Sequence, residues 1–105
     1  MKIINNAITT QGLKTLFEQR SEALDFTFGT VTIQPGERVP KEGLSAHEEN
    51  EYSLIINGSI EGESGGEKYQ STKGEATFIP AKEKHWAINN SNEPCEIVWV
   101  LVKEN

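Results

Sequence analysis

Short runs of alternating apolar and polar residues, separated by turn residues, make up most of the chain. The runs at 25–33 and 96–102 are rich in Phe, Val, Ile, Thr and Trp, which favour strands. Shorter runs at 74–80 and 84–90 are bounded by glycine, proline or asparagine. Many short strands joined by regular turns are typical of an antiparallel sandwich or barrel. The pattern therefore predicts an all-β fold and a single domain over residues 1–105.

One segment predicts a helix instead. In TTQGLKTLFEQRSEA, Leu13, Leu16 and Phe17 recur at helical spacing, and Thr9 or Thr10 is available as an N-cap. We therefore expect an N-terminal strand or helix segment over 1–24, with one short helix, followed by a barrel over 25–105.

Turn residues divide the predicted barrel. Asn57-Gly58 lies between apolar residues and is a strong hairpin signal, and Gly65-Gly66 marks another tight turn. The segment 35–43 contains two prolines and two glycines, so it cannot be a regular interior strand.

The run EIVWVLV at 96–102 is apolar on both faces. Alternation places Ile97, Trp99 and Leu101 on one face and Val98, Val100 and Val102 on the other. A strand that is apolar on both sides must be covered on both. One face can fill the barrel interior, whereas the other needs a second layer or a partner subunit. We therefore expect a homodimer.

Charge and composition limit the kinds of partner and the cellular compartment that we expect. The net charge of −6 disfavours nucleic acids and anionic membrane surfaces, which bind clusters of Lys and Arg. The single Cys95 cannot form an internal disulfide and lies beside an apolar strand, so we expect a buried, unreactive thiol. No run approaches the roughly 20 apolar residues of a membrane span, and no stretch of signal-peptide length opens the chain. These features predict a cytoplasmic protein.

The segment SAHEENEY at 45–52 concentrates groups that bind metals and donate or accept hydrogen bonds. His47 and Glu51 are four residues apart, and on one extended strand they would be about 13 Å apart, too far to share an ion. If residues 48–50 form a three-residue hairpin loop, with Asn50 taking the positive φ that such loops need, the two side chains meet. We therefore predict that the chain reverses between residues 47 and 51.

The spacing of these residues resembles the two sequence motifs of the cupin family. The positions of the first motif are filled by Gly36, His47, Glu51 and Gly58, with three residues from His to Glu and six from Glu to Gly. The positions of the second motif are filled by Gly74, Pro80, His85 and Asn89. The resemblance covers roughly half of the chain and implies a small single-domain cupin, an antiparallel double-sheet barrel of the RmlC-like jelly-roll type.

The resemblance also implies a divalent transition metal bound by His47, Glu51 and His85. Two histidines and a carboxylate suit Fe, Mn, Ni or Zn and leave positions for water or substrate. These are the only two histidines of the chain, and both occupy ligand positions. Two residues depart from the motifs, because Ser45 replaces the first histidine of His-x-His and Lys82 replaces a glycine. Ser45 removes one of four implied ligands, and its hydroxyl can hold a water or bind substrate.

Strand alternation predicts the lining of the pocket. Ser53 and Ile55 share a side with Glu51, and we expect them, together with Ser45, to contact substrate. The family pattern makes Asn89 a structural hydrogen bonder. No catalytic residue is assigned, except that Glu51 can act as a base where it does not coordinate the metal.

Two classes of function remain open. One is a metal-dependent enzyme that acts on a small polar molecule, with the ion as a Lewis acid or a carrier of water or dioxygen. Cupins include dioxygenases, isomerases, lyases and sugar-modifying enzymes, so the resemblance does not select a reaction. The other is a non-catalytic domain that binds or senses a small ligand through a degenerate metal site, for which Ser45 is the best argument.

Overall fold

The computed structural model describes residues 1–105, and every regular element in it is a β-strand. The strands are β1 (Gly12–Arg20), β2 (Leu24–Ile33), β3 (Arg38–Val39), β4 (Asn50–Asn57), β5 (Ser59–Ser64), β6 (Glu67–Thr72), β7 (Ala76–Ile79), β8 (His85–Ile88) and β9 (Cys95–Glu104). They pair antiparallel in a five-stranded sheet, order β1-β2-β9-β4-β7, and a four-stranded sheet, order β3-β8-β5-β6. The predicted all-β double-sheet fold is confirmed. The structure offers no helix that could span a membrane.

The core lies between the two sheets. Its buried cluster comprises Ile33, Ile55, Ile60, Ala87, Cys95 and Ile97. Cys95 is fully buried, as the sequence predicts, and burial, with a smaller contribution from the charge of Glu96, raises the pKa of its thiol to about 11. The thiol is therefore protonated at neutral pH.

The predicted N-terminal helix is wrong, because its residues form β1. Leu13 is 66% exposed and Phe17 is 38% exposed, so the apolar residues do not line a buried helical stripe. β1 instead pairs with β2, and an irregularity between Thr15 and Phe17 shifts the register. This bulge turns Phe17 to the outer face, where its ring stacks on Phe28 with centroids 6.4 Å apart. The hairpin ladder with β2, which follows β1 after three intervening residues, overrides the helical spacing.

The two glycine turns differ in what they connect. Gly65-Gly66 joins β5 to β6 in a hairpin, as predicted, and both glycines have positive φ. The hairpin predicted at Asn57-Gly58 is wrong, because this turn carries the chain from β4 in one sheet to β5 in the other. Both sides of β4 are already paired, with β9 and β7. The sequence therefore marks the turn correctly but not the pairing of the strands beside it.

Asn89 ties β2 to the loop that joins β8 to β9. Its side chain is fully buried, and Nδ2 donates to the carbonyl oxygens of Ile33 at 2.8 Å and Glu93 at 2.7 Å. Oδ1 accepts from the backbone N and the hydroxyl of Ser91, at 3.0 and 2.7 Å. Both amide protons and the carbonyl oxygen are thus satisfied. The role expected for Asn89, a structural hydrogen bonder, agrees with these contacts.

We predict that Asn89→Ala destabilises the fold by about 2–4 kcal/mol, because it leaves a cavity and unpaired buried carbonyl groups. Urea unfolding followed by tryptophan fluorescence measures this change. Asn90→Ala is the matched control, since Asn90 is exposed and bonds only to Glu61 at 3.1 Å. The control should stay within about 0.5 kcal/mol of the natural protein. Equal losses in the two variants would contradict the assigned role.

Candidate metal centre

The structure brings His47, Glu51 and His85 together at one end of the barrel. One potential ligand atom from each residue lies within 4.8 Å of the other two. Nε2 of His47 is 3.4 Å from Oε1 of Glu51, and the two imidazole centroids are 5.1 Å apart. All three residues that the sequence selects as ligands therefore face one point.

The chain achieves this convergence by crossing between the sheets, not by a hairpin. Ser45 pairs with His85, the first residue of β8 in the four-stranded sheet, whereas Glu51 lies on β4 in the five-stranded sheet. Residues 48–49 form the bend between them. Asn50 begins β4, and its φ is not positive. The predicted three-residue loop is therefore wrong, although the predicted meeting of the two side chains is correct.

The loop 80–84, between β7 and β8, holds this crossing in place. The backbone N of Lys82 donates to the carbonyl oxygen of His47 at 2.7 Å. The backbone N of Ala81 donates to Oδ1 of Asn50 at 2.8 Å. Lys82 has a φ of 69°, the left-handed conformation that favours glycine, which is the motif residue at this position. The backbone shape of the motif is thus kept despite the substitution.

Backbone carbonyls orient both imidazoles in the same way. Nδ1 of His47 lies 2.9 Å from the carbonyl oxygen of Glu49, and Nδ1 of His85 lies 2.9 Å from that of Glu83. Because a carbonyl oxygen can only accept, each Nδ1 carries the proton. In the neutral rings each Nε2 then offers a lone pair to the shared point, as in metal-ligating histidines.

The donor set fits a cation. Nε2 of His47 is buried and has no hydrogen-bond partner, and it faces Oε1 of Glu51 at 3.4 Å. Two electron-rich atoms at this separation repel each other unless a proton or a cation lies between them. Two donors about 2.1 Å from a tetrahedral ion would be about 3.4 Å apart. A proton would satisfy only this pair, whereas a metal ion also uses His85.

The three residues predicted to bind substrate lie in different environments. Two backbone hydrogen bonds of 2.9 Å join Ser45 to His85, so the side chains of this pair lie on the same side. Ser53 is half-buried and follows Glu51 by two residues on the inner face of β4. Ile55 is 1% exposed and belongs to the core cluster. We therefore assign Ile55 to the core and not to the ligand-binding set.

Tyr69 is a neighbour of this site that sequence reasoning missed. Burial, followed by the negative charges of Glu51 and Cys95, raises the pKa of its phenol to about 12. Tyr69 lies on β6 opposite Gly62 and packs against the core. Alternation in the run KYQST places Tyr69 and Ser71 on one face, but only the pairing of β5 with β6 turns that face inward.

Solved structures from several organisms share this fold. The cupin domain of a Schizosaccharomyces pombe protein is 16% identical, with a TM-score of 0.74 over 93% of this chain and 68% of that chain. A Bacillus halodurans protein is 19% identical, with a TM-score of 0.73 over 92% and 74%. A Thermotoga maritima protein described as a predicted oxalate decarboxylase is 18% identical, with a TM-score of 0.70 over 98% and 99%. At these identities the shared property is the fold alone.

The family comparison is more specific. No curated protein sequence matches the chain. The family model for the cupin domain, however, matches residues 29–101, which is well over half of the chain. The matched range contains both histidines, the crossing at 48–49 and the loop that holds it. The chain belongs to the cupin family.

Proposed function

We propose that this protein binds a divalent transition metal through His47, Glu51 and His85 and is a metal-dependent enzyme for a small polar molecule. The observation that carries the proposal is the convergence of two imidazoles and one carboxylate, with both Nδ1 atoms held by backbone carbonyls. Two histidines and a carboxylate suit Fe, Mn, Ni or Zn. Three protein ligands leave coordination positions for water or substrate.

The residues around the three ligands define what could bind there. When bound, the metal would supply a Lewis acid that polarises an oxygen of the ligand. The side chains of His47 and Glu51 are 23% and 24% exposed, so the site lies close to solvent although Nε2 of His47 is itself buried. Ser45 and Ser53 provide hydroxyl groups on the same side as the ligands. The phenol of Tyr69 stays protonated at physiological pH and can donate a hydrogen bond, since its pKa is raised to about 12.

A second candidate is a domain that binds or senses a small ligand without turnover. The identity of residue 45 favours it, because Ser45 lies beside His85 where the family motif has a histidine. A hydroxyl is a weaker metal ligand than an imidazole. In this function the metal site is degenerate, Ser45 helps to recognise a small ligand whether or not an ion is bound, and no reaction follows.

Replacing a ligand should abolish tight metal binding. We expect His47→Ala and Glu51→Gln each to weaken it by more than about 100-fold, because even outer-shell partners of metal ligands contribute about 10–100-fold. Untagged protein is stripped with a chelator and titrated calorimetrically with Mn²⁺, Fe²⁺, Co²⁺, Ni²⁺ and Zn²⁺. Elemental analysis measures the metal that stays bound to the natural protein and to each variant.

Glu48→Gln is the matched control for Glu51→Gln. Glu48 is the exposed carboxylate next to His47, and its nearest ionic partner is Lys82 at 3.8 Å. This control should bind metal like the natural protein. A natural protein that retains no ion, or a Glu51→Gln variant that binds as well as the control, would refute the metal site.

Ser45→His should strengthen metal binding. The hydrogen-bonded pair of Ser45 and His85 puts the new imidazole on the same side as the other ligands. We expect a gain of about tenfold or more in affinity for Ni²⁺ and Zn²⁺, which imidazole ligands suit. Ala46→His is the control, since Ala46 is exposed and alternation turns it away from the site. Equal gains in both variants would contradict the assigned position of Ser45.

Ligand stabilisation with and without metal separates the two candidate functions. The probes are small hydroxylated carboxylic acids and sugars, added to metal-loaded and metal-stripped protein during thermal unfolding. A ligand at 100 times its Kd stabilises by about 2.7 kcal/mol, which raises Tm by roughly 10 °C in a domain of this size. For the enzyme we expect this shift only in loaded protein, together with product detected by NMR. Equal shifts in both forms, without product, would favour the binding domain.

A further inference from the structure

The carbonyl oxygen that orients His85 belongs to Glu83, and the side chain of Glu83 is itself held by Ser64. The hydroxyl of Ser64 donates to Oε2 of Glu83 at 2.6 Å. This length is typical of a hydrogen bond between a hydroxyl group and an ionised carboxylate, one of the stronger kinds in proteins. Ser64 and Glu83 thus form a clamp between two segments, the end of β5 and the loop 80–84.

Strand pairing places the clamp beside His85. Ser64 and His85 are opposite residues in the ladder of β5 with β8, so their side chains lie on the same side of the four-stranded sheet. Glu83 precedes His85 by two residues, and its carbonyl oxygen lies 2.9 Å from Nδ1 of His85. The clamp therefore connects the end of β5 to the residue whose carbonyl orients the imidazole.

Backbone contacts hold Glu83 and its neighbour from two further directions. The backbone N of Glu83 donates to the carbonyl oxygen of Pro80 at 3.2 Å, and the backbone N of Gly65 donates to that of Lys84 at 3.0 Å. The carboxyl group of Glu83 also packs against Gly65, where a β-carbon would come within 2.9 Å of Oε1. Gly65 has a φ of 59°, which favours glycine in any case. The absence of a side chain at position 65 therefore leaves room for the clamp.

We propose that Ser64 and Glu83 are positioning residues for His85. Because Ser64 holds the side chain of Glu83 and Pro80 holds its backbone N, the carbonyl oxygen of Glu83 stays directed at Nδ1 of His85. The proton of the neutral ring is then kept on Nδ1, and Nε2 keeps its lone pair for an ion. Without the clamp the carbonyl group can turn away, and the ring can exchange between its two tautomers.

His47 offers a comparison within the same site, because its Nδ1 has the same kind of partner without a clamp. The carbonyl oxygen of Glu49 lies 2.9 Å from Nδ1 of His47. No hydrogen bond or ion pair beside this ring involves the carboxylate of Glu49. Loss of the clamp should therefore change the state of His85 and leave that of His47 as it is.

Nitrogen NMR of the imidazoles in metal-stripped protein tests the proposal. The chain has only two histidines, so the His47→Ala variant is enough to assign both rings. At about pH 9, well above the ordinary pKa of imidazole, we expect His85 in the natural protein to be a single tautomer with the proton on Nδ1. Ser64→Ala and Glu83→Ala should each give a mixture of tautomers at His85. Ser64→Thr keeps the hydroxyl and should restore the single tautomer, and the matched control Glu49→Ala should leave both rings unchanged.

Metal affinity is the second measurement, and this part of the inference rests on the proposed function. Ser64→Ala changes no charge, and we expect it to weaken binding of Zn²⁺ and Ni²⁺ by about tenfold, the lower end of the loss for partners of metal ligands. Ser64→Thr should bind both ions like the natural protein. Circular dichroism checks that each variant is folded, and Ser64→Ala decides the outcome if Glu83→Ala is not.

The two measurements separate failure of the clamp from failure of the metal site. A His85 ring that stays a single tautomer in the folded clamp variants overturns the proposal, whatever the protein binds. A mixture that appears equally at His47, or equally in Glu49→Ala, also overturns it. A natural protein that binds no ion but shows the expected change at His85 alone refutes the proposed metal site and supports the positioning role.

Discussion

The site depends on one passage of the chain, from the four-stranded sheet at Ser45 to the five-stranded sheet at Glu51. Hydrogen bonds to His85 fix the first end, and the ladders of β4 with β9 and β7 fix the second. The loop 80–84 closes over the passage, because its backbone amides bond to the carbonyl oxygen of His47 and the side chain of Asn50. The loop leads directly into His85, so one set of contacts positions all three candidate ligands.

β4 and β9 each present side chains to the barrel interior and to the outer face of the sheet, and strand register decides which residues face which side. On β4, Glu51 and Ser53 face the barrel interior, whereas Tyr52 faces outward. On β9, Trp99 is buried inside, and Val100 faces outward. A slip of one residue in either strand would exchange the two sets. The apolar core and the polar ligand set therefore constrain the register together, and that register also decides which side chains face outward.

How much the sequence predicts depends on whether a feature is local. Alternation locates β2, β7, β8 and β9 but not the two-residue β3 or β6, and motif spacing selects the three residues that the structure brings together. The pairing of strands with one another decides the rest. Pairing with β2 makes 12–20 a strand, and the turn at Gly58 changes sheets because β4 is already paired on both sides. Tyr69 was missed for the same reason, since only pairing with β5 shows which face of β6 is inside.

Serine in place of histidine at position 45 lowers the number of candidate metal ligands but does not change the arrangement of the other three. The imidazoles of His47 and His85 are oriented by the carbonyl oxygens of Glu49 and Glu83, which belong to the backbone. No side chain at position 45 is needed to hold them. The three donors therefore stay pre-organised with serine in this place, and the cost in metal affinity is that of one absent ligand. Serine is smaller than histidine and presents a hydroxyl beside His85, so in the proposed function the same residue removes one metal ligand and offers a hydrogen bond to a polar ligand.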